Sequence, residues 1–192
     1  MNRRRTLALL ATFLLAASLP AAAQGKPAAK SAPKAGPVDA KTAYDLARAA
    51  ALKWQADAEL FDLGNLSTGP VDAEGRSTAW NVKWSSKAAG KVNLMSVTNG
   101  VLTTFEMPGP GGRVVPVKPE TLFDSKKLVK MADDAGGAAH RAKGAKVTLG
   151  IVGSTVKPGT TLWHVSYSGD DYRELFHVAI EGETGALKVL SD

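Results

Sequence analysis

The two halves of this chain carry the same order of apolar, aromatic and turn residues. Residues 77–105 and 160–190 each predict an aromatic-flanked strand, a turn, a second apolar strand, a Gly-centred turn and a third strand. Ala-rich helical stretches precede them at residues 42–55 and 126–143. The positions that align at a constant offset are Trp80 with Trp163, Val82 with Val165, and Trp84 with Tyr167. A duplicated helix-then-strands unit without a repeated catalytic motif predicts a scaffold that presents a surface.

This pattern predicts an α+β fold of two tandem α-β-β-β(-β) repeats, with an antiparallel sheet and helices packed on one face. The predicted segments are a signal peptide (1–23), a Lys/Pro/Ala tether (24–38), a first repeat (39–108), a linker (109–124) and a second repeat (125–192). A folded part of about 150 residues can bury a core without metal or disulfide, whereas each half alone would be marginal. We therefore expect the halves to share a core or a continuous sheet.

The first helix is expected to begin near Asp39 or Thr42, because Thr42–Asp45 fits the capping-box pattern. Apolar residues recur in this helix at three- and four-residue spacing, so it should bury one stripe. The predicted stripe consists of Ala43, Leu46, Ala47, Ala50, Ala51 and Trp54.

The second helix is expected to follow Asp124–Ser125 and to end at Gly144. Gly136 and Gly137 each weaken it by about 1 kcal/mol relative to alanine, so a bend or break is expected there. Its predicted stripe consists of Leu128, Met131, Ala135, Ala138, Ala139 and Ala142.

A tight hairpin is predicted at Asn99–Gly100, between apolar runs at 94–97 and 101–105. Asn-Gly favours a type I′ turn, which needs a positive φ at both central residues. The Pro- and Gly-rich segment 108–119 cannot form a helix or a central strand, so it is expected to be the crossover between the halves.

The N-terminal residues have the three parts of a secretory signal peptide. Met1–Arg5 is positively charged, Leu7–Leu19 is apolar, and small residues precede a cut after Ala23. The apolar run is shorter than the about 20 residues that span a bilayer. We therefore expect a periplasmic or secreted protein without stable membrane insertion, and both the general and the twin-arginine export routes stay open. Since the chain has no cysteine, it can hold no disulfide, thiolate metal site or lipidated cysteine.

The formal net charge of +6 does not reside in the predicted folded part. The signal peptide and the tether hold Arg3, Arg4, Arg5, Lys26, Lys30 and Lys34, and no acid precedes Asp39. The remaining residues therefore carry equal numbers of basic and acidic side chains. A neutral domain lacks the field that drives binding to a phosphate backbone, so nucleic acid is excluded as the expected partner.

The second half also carries a recognisable order of short motifs. An Ala-rich helix is followed by Gly144–Val147 and Trp163–Tyr167, and then by Val178–Leu187, in which a valine-rich strand, an acid and Thr-Gly precede a last apolar strand. Over residues 126–190 this order resembles a PepSY domain. The first half fits more loosely, because Val97–Leu102 lacks the acid and the Thr-Gly. The resemblance implies an exported, non-enzymatic module with a regulatory or peptidase-inhibiting role.

A search for catalytic and metal motifs singles out two histidines. The motifs of zinc hydrolases, serine hydrolases and P-loops are absent from the sequence. A hairpin that turns about Asp170–Asp171 would place His164 directly opposite His177 on one sheet face. Two imidazoles can hold zinc or copper, but a site needs a third or fourth ligand, so half-exposed sheet histidines are the favoured interpretation. The opposite, helix-facing side would carry Trp163, Val165, Phe176 and Val178.

We predict a non-enzymatic module, without cofactor or metal, that binds an exported protein or peptide. The predicted binding residues are Lys83, His164 and His177, on the polar face of the sheet. The first alternative is a small-molecule carrier with a pocket between helices and sheet, lined by Trp54, Trp80 and Met131. The second is an enzyme that uses scattered Asp, His and Ser residues.

Overall fold

A computed structural model describes residues 36–65, 69–109, 114–118, 120–121, 124–157 and 159–191. The predicted signal peptide and most of the predicted tether lie outside these residues. No helix in the described part of the chain is long and apolar enough to cross a membrane.

The described residues form an α+β fold around one large antiparallel sheet, as the sequence predicts. A short separate pair consists of β1 (Val38–Asp39) and β3 (Arg76–Ser77). The large sheet contains β2 (Glu59–Asn65), β4 (Ala79–Ser86), β5 (Lys91–Thr98), β6 (Val101–Pro108), β7 (Lys146–Gly153), β8 (Thr161–Ser168), β9 (Glu174–Glu181) and β10 (Leu187–Ser191). Their order across the sheet is β10-β9-β8-β7-β2-β4-β5-β6. The halves of the chain therefore meet where β2 lies beside β7.

The contact between β2 and β7 is short. Its residue pairs are Asp62 with Val152, Leu63 with Ile151, and Gly64 with Gly150. Beyond Gly64 the Asn65 carboxamide continues the contact, since its Oδ1 accepts a hydrogen bond from the Leu149 backbone N–H at 2.5 Å. Its Nδ2 donates to the Gly69 carbonyl at 2.8 Å. A buried asparagine side chain thus replaces backbone pairing where the two strands diverge.

The first helix, α1 (Ala40–Trp54), begins at Asp39, whose carboxylate accepts a hydrogen bond from the Thr42 backbone N–H at 2.7 Å. The expected start near Asp39 is therefore correct, and Thr42 lies inside the first turn. Most of the predicted stripe faces the sheet. The fully buried members are Ala43, Ala47 and Ala51, and the half-buried members are Leu46, Ala50 and Trp54.

The second helical segment begins at Asp124, whose side chain accepts from the Lys127 N–H at 3.0 Å. It consists of α2 (Ser125–Ala132), a kinked turn (Asp133–Gly137) and α3 (Ala138–Ala142). The predicted bend lies at Gly136, which has φ 128°. Gly144, with φ 91°, follows the helix as the predicted stop.

One part of the second predicted stripe is wrong. Ala138, Ala139 and Ala142 are exposed, whereas Leu128 is buried and Met131 and Ala135 are half-buried. Gly136 has non-helical backbone angles (φ 128°, ψ −20°), so the helix is kinked there and α3 begins in a new direction. Extrapolating a 3.6-residue period across Gly136 therefore assigns the alanines of α3 to the wrong side.

Three of the four tryptophans pack in the core, as expected. Trp80 and Trp163 are fully buried, and the Trp80 Nε1–H donates to the Val38 carbonyl at 2.8 Å. Trp84 stacks on Tyr44 of α1 with the ring centroids 5.9 Å apart. Because Val38 also pairs with Ser77, the folded part begins before residue 39, and the last residues of the predicted tether belong to it.

The tight turn predicted at Asn99–Gly100 is correct. Asn99 and Gly100 have φ 50° and 78°, as a type I′ turn requires, and they join β5 directly to β6. In the crossover segment, residues 114–118 form neither helix nor strand. Val117 is buried there, and its N–H donates to the Leu60 carbonyl at 2.7 Å.

We expect the substitution Gly137→Ala to lower the free energy of unfolding by about 1–3 kcal/mol, because the new methyl group would overlap the Tyr167 ring. The backbone of Gly137 is helical (φ −59°), so alanine would otherwise favour the helix by about 1 kcal/mol. Gly150→Ala is the matched control, since a methyl group there meets no atom within 4 Å. Urea unfolding of both variants tests this, and equal stabilities would contradict the packing of Gly137 on Tyr167.

Candidate functional site

One side of the large sheet is not covered by any helix among the described residues. In β4 and β8, buried residues alternate with half-buried ones, as expected when one sheet face packs on a core and the other meets solvent. We call the second side the open face. In these two strands it carries Asn81, Lys83, Ser85, His164 and Ser166.

His164 and His177 are in contact on the open face. The Nδ1 atom of His164 lies 3.0 Å from Nε2 of His177, and the ring centroids are 5.1 Å apart. Both rings are partly buried. The structure therefore places together the two histidines that the sequence singled out.

The predicted register of the hairpin is nevertheless wrong. His164 lies opposite Ala179, and His177 lies opposite Ser166, so the imidazoles meet diagonally across the two strands. The strands are joined by residues 169–173, in which Tyr172 has φ 62°, and the register shifts between Tyr167 and Ser168. The longer turn displaces the pairing by two residues, which changes each residue's partner but keeps its face.

Glu174 extends the histidine pair into a chain of polar groups. One carboxylate oxygen, Oε2, lies 3.3 Å from Nδ1 of His177 and accepts a hydrogen bond from the Ser166 hydroxyl at 3.2 Å. The other, Oε1, accepts from the Ser191 hydroxyl at 3.0 Å. The carboxylate favours a proton on Nδ1 of His177, which leaves Nε2 to accept from His164.

Burial lowers the pKa of His164 below its ordinary value, and the neighbouring His177 lowers it further. The Glu174 carboxylate raises the pKa of His164 and partly opposes both effects. At neutral pH His164 is therefore uncharged. When its Nδ1–H points to His177, its Nε2 offers a hydrogen-bond acceptor on the open face.

Lys83 is on the open face but apart from the histidines. Its ammonium lies 3.1 Å from Oδ2 of Asp62 on β2. β4 and β8 are separated by β2 and β7, so three strand spacings of about 4.8 Å place Lys83 about 14 Å from His164 across the sheet. The three predicted binding residues thus share a surface without forming one compact site.

Between these groups the open face contains a shallow depression of about 260 Å³. Its walls include Asp62, His164 and Ser166, and its floor includes the facing pair Gly64 and Gly150. Neither glycine contributes a side chain, so the surface is low where the halves of the sheet meet.

Ser166, on the open face, is not placed like the serine of a Ser–His pair. Ser166 donates its hydroxyl to Glu174, whereas nucleophilic catalysis needs that hydroxyl to donate to an imidazole. No group of three or more His, Cys, Asp or Glu side chains among the described residues is arranged to hold a metal ion.

On the helix side, the carrier pocket expected from the sequence would need Trp80 in its wall. Trp80 is fully buried and offers no surface to a ligand that enters from solvent. A cleft of about 260 Å³ lies elsewhere, beside the stacked rings of Tyr44 and Trp84, with Arg48 and Lys118 in its lining.

Sequence reasoning missed Glu174, Asp62 and the glycine pair. Glu174 and Asp62 acquire their roles only through cross-strand neighbours, which a single sequence does not reveal. Glycine inside a strand is a visible signal of a depression or a close backbone approach, so Gly64 and Gly150 could have been found.

Comparisons with family models, with curated proteins and with solved structures give no match to this chain. The fold and the open face are therefore the basis for a functional assignment.

Acidification should destabilise the protein partly through His164. Because the folded-state pKa of His164 lies below the unfolded value of about 6.5, protonation favours unfolding, and stability falls as the pH drops below that value. We expect the melting temperature of the wild type to fall more between about pH 7.5 and pH 5.5 than that of His164→Gln. Identical pH dependence in the two proteins would contradict the burial of a neutral His164.

Proposed function

We propose that the protein is a non-enzymatic binding module that covers a protein or peptide partner with its open face. The observation that carries this proposal is an eight-stranded sheet whose helices pack on one face and leave the other to solvent. That face combines hydrogen-bonding groups with apolar side chains. The apolar members include Leu94, Phe105, Val152 and Leu162.

The dimensions of the open face suit a macromolecular partner. Seven spacings of about 4.8 Å give a width of about 34 Å, and a strand of six residues is about 20 Å long. The resulting several hundred Å² approach the about 800 Å² that one protein contributes to a standard interface. The open face mixes polar and apolar side chains. Non-obligate interfaces have a similar mixture, since their non-polar fraction is about that of ordinary protein surface.

The proposal includes a duplicated architecture. The aligned aromatic residues Trp80 and Trp163 are both buried, and they occupy β4 and β8, the strands next to the middle pair β2 and β7. Among the described residues, a helical segment followed by four strands of the large sheet occurs in each half. These observations support two repeats of the PepSY-like kind, joined edge to edge through β2 and β7.

The proposed setting is the cell envelope or the exterior. The N-terminal signal pattern supports export, and the PepSY-like pattern of residues 126–190 supports a regulatory or inhibitory role toward an exported protein, such as a peptidase. The single carboxylate–imidazole–imidazole chain on the open face would give the partner a directional hydrogen-bonding site within an otherwise broad contact.

A small-molecule carrier is the second candidate, because of the cleft beside Tyr44 and Trp84. Its aromatic wall and the two cations Arg48 and Lys118 suit a small amphipathic acid. Native mass spectrometry of the purified protein distinguishes the candidates, since a carrier would retain a ligand of defined mass and the binding module would not.

The binding-module proposal is tested by asking whether the protein captures a partner and whether that capture depends on residues of the open face. We expect the chain, expressed with its own N-terminal segment and a C-terminal tag, to retain a partner from envelope extract. The double variant Lys83→Gln and His164→Gln should weaken that retention at least about tenfold, because each lost contact to a desolvated polar group is worth about 1–3 kcal/mol. Neutral substitution of Lys83 is preferable to charge reversal, which would set two carboxylates together at Asp62.

Lys127→Gln is the matched control, because Lys127 is exposed in the first turn of α2, on the helix side. It should retain the partner as the wild type does. Melting curves of all variants should be similar, since exposed ion pairs contribute about 0–1 kcal/mol. Unchanged retention by the double variant, with native stability, would contradict recognition through the open face.

A further inference from the structure

Among the described residues, the strand β6 is an edge of the sheet that no other element covers, and its single proline is its last residue, Pro108. Among the described residues it pairs only with β5, and that pairing is regular over its whole length, from Val101 to Pro108. Two of its side chains are among the most exposed apolar groups of the fold, with Val101 57% and Phe105 63% exposed. A long, regular and apolar edge offers unpaired N–H and C=O groups to another strand.

The opposite edge, β10, shows the usual protection. It has five residues, its pairing with β9 shifts between Val189 and Ser191, and it carries Lys188. Short length, a bulge and a lysine each prevent edge-to-edge pairing. β6 has eight residues and no lysine or arginine, and its one acid, Glu106, is bound by Lys91 and by the Trp54 Nε1–H at 2.6 Å each. The contrast within one sheet indicates that β6 is kept open for pairing.

The hydrogen-bond pattern identifies the free backbone groups of β6. The Gly109 N–H donates to the Gly90 carbonyl at 3.0 Å, so these two residues form a hydrogen-bonded pair. Hydrogen-bonded and non-hydrogen-bonded pairs alternate along an antiparallel ladder. The odd-numbered residues of β6 therefore bond to β5, and Leu102, Thr104 and Glu106 direct their N–H and C=O groups outward. Pro108 is also one of the residues whose backbone faces outward, so its missing N–H removes no hydrogen bond between β6 and β5.

We propose that β6 pairs with β6 of a second copy of this chain, antiparallel and with Thr104 on the two-fold axis. In this register Thr104 lies opposite its own equivalent, and Leu102 of one copy lies opposite Glu106 of the other. All three form hydrogen-bonded pairs, because each directs its backbone outward. A two-fold axis perpendicular to the sheet keeps both open faces on the same side, so the dimer presents one continuous sheet.

The side chains of β6 are self-complementary in this register. On the open face, Phe105 lies opposite Thr103 and Val101 lies opposite Met107, so the exposed apolar groups cover one another. A shift that centres the axis on Glu106 would set two like charges opposite each other, which is unfavourable. The strand thus favours pairing centred on Thr104 over pairing centred on Glu106. One strand pair buries less than the about 1,200 Å² of a standard interface, so the dimer exchanges rapidly with monomer.

Sedimentation velocity over a concentration series tests the dimer. The wild type should shift toward twice the monomer mass as the concentration rises. Thr104→Pro removes an outward N–H and Thr104→Lys sets like charges across the axis, so both should remain monomeric. Thr104→Val keeps the backbone and the strand preference and should dimerise like the wild type. A wild type that stays monomeric, or a dimer that both disruptive variants preserve, would overturn the proposal.

The absence of cysteine allows a second measurement that does not depend on a disruptive variant. In a hydrogen-bonded pair the Cα atoms lie about 5.5 Å apart, within the range that a disulfide bridges. Thr104→Cys should therefore form a disulfide-linked dimer under mild oxidation, and Lys188→Cys on the other edge should not. Equal cross-linking at the two positions would show random collision and overturn the proposal.

Discussion

The eight-stranded sheet depends on the short pairing of β2 with β7. Three backbone residue pairs, together with the hydrogen bond from the Leu149 N–H to the Asn65 carboxamide, join two four-stranded halves into one sheet. The facing glycines Gly64 and Gly150 let the strands meet without side chains on the open side, so the surface there is low and uninterrupted. On the helix side Leu63 and Ile151 are fully buried, so the same pairing joins the halves of the core. One core and one continuous open face both follow from this contact.

Most of the fold could be predicted from the sequence because its determinants are local. Asp39 and Asp124 cap their helices, Asn99–Gly100 turns a hairpin, and alternation in β4 and β8 assigns each side chain to a face. The exposure of Ala138, Ala139 and Ala142 could not be predicted, because the non-helical backbone of Gly136 interrupts the 3.6-residue period between α2 and α3. The order of the strands across the sheet depends on contacts between distant residues, which periodicity does not encode.

The histidine pair shows why a partly wrong prediction can still find a site. The predicted register differs from the observed one by two residues, and an even shift leaves every side chain on its original face. His164 and His177 therefore meet on the open face in either register. Glu174 is the first residue of β9, next to the turn that caused the error, so its place beside Ser166 and His177 follows from the actual turn. Whether a residue occupies an odd or an even position in its strand determines the face on which it lies. The geometry of the turn determines which residues lie opposite it.

The strand order also determines how the chain can reach its native state. On each side of the middle pair, neighbouring strands of the sheet follow one another closely along the chain, so their hairpins close short loops. The pairing of Leu63 with Ile151 closes a far longer loop, and contacts of high sequence separation form slowly. We therefore expect each half to collapse around its own helix first and the β2–β7 contact to complete the sheet last. Until that step, both central strands expose an unpaired edge, which makes the final docking the point most sensitive to chain concentration during refolding.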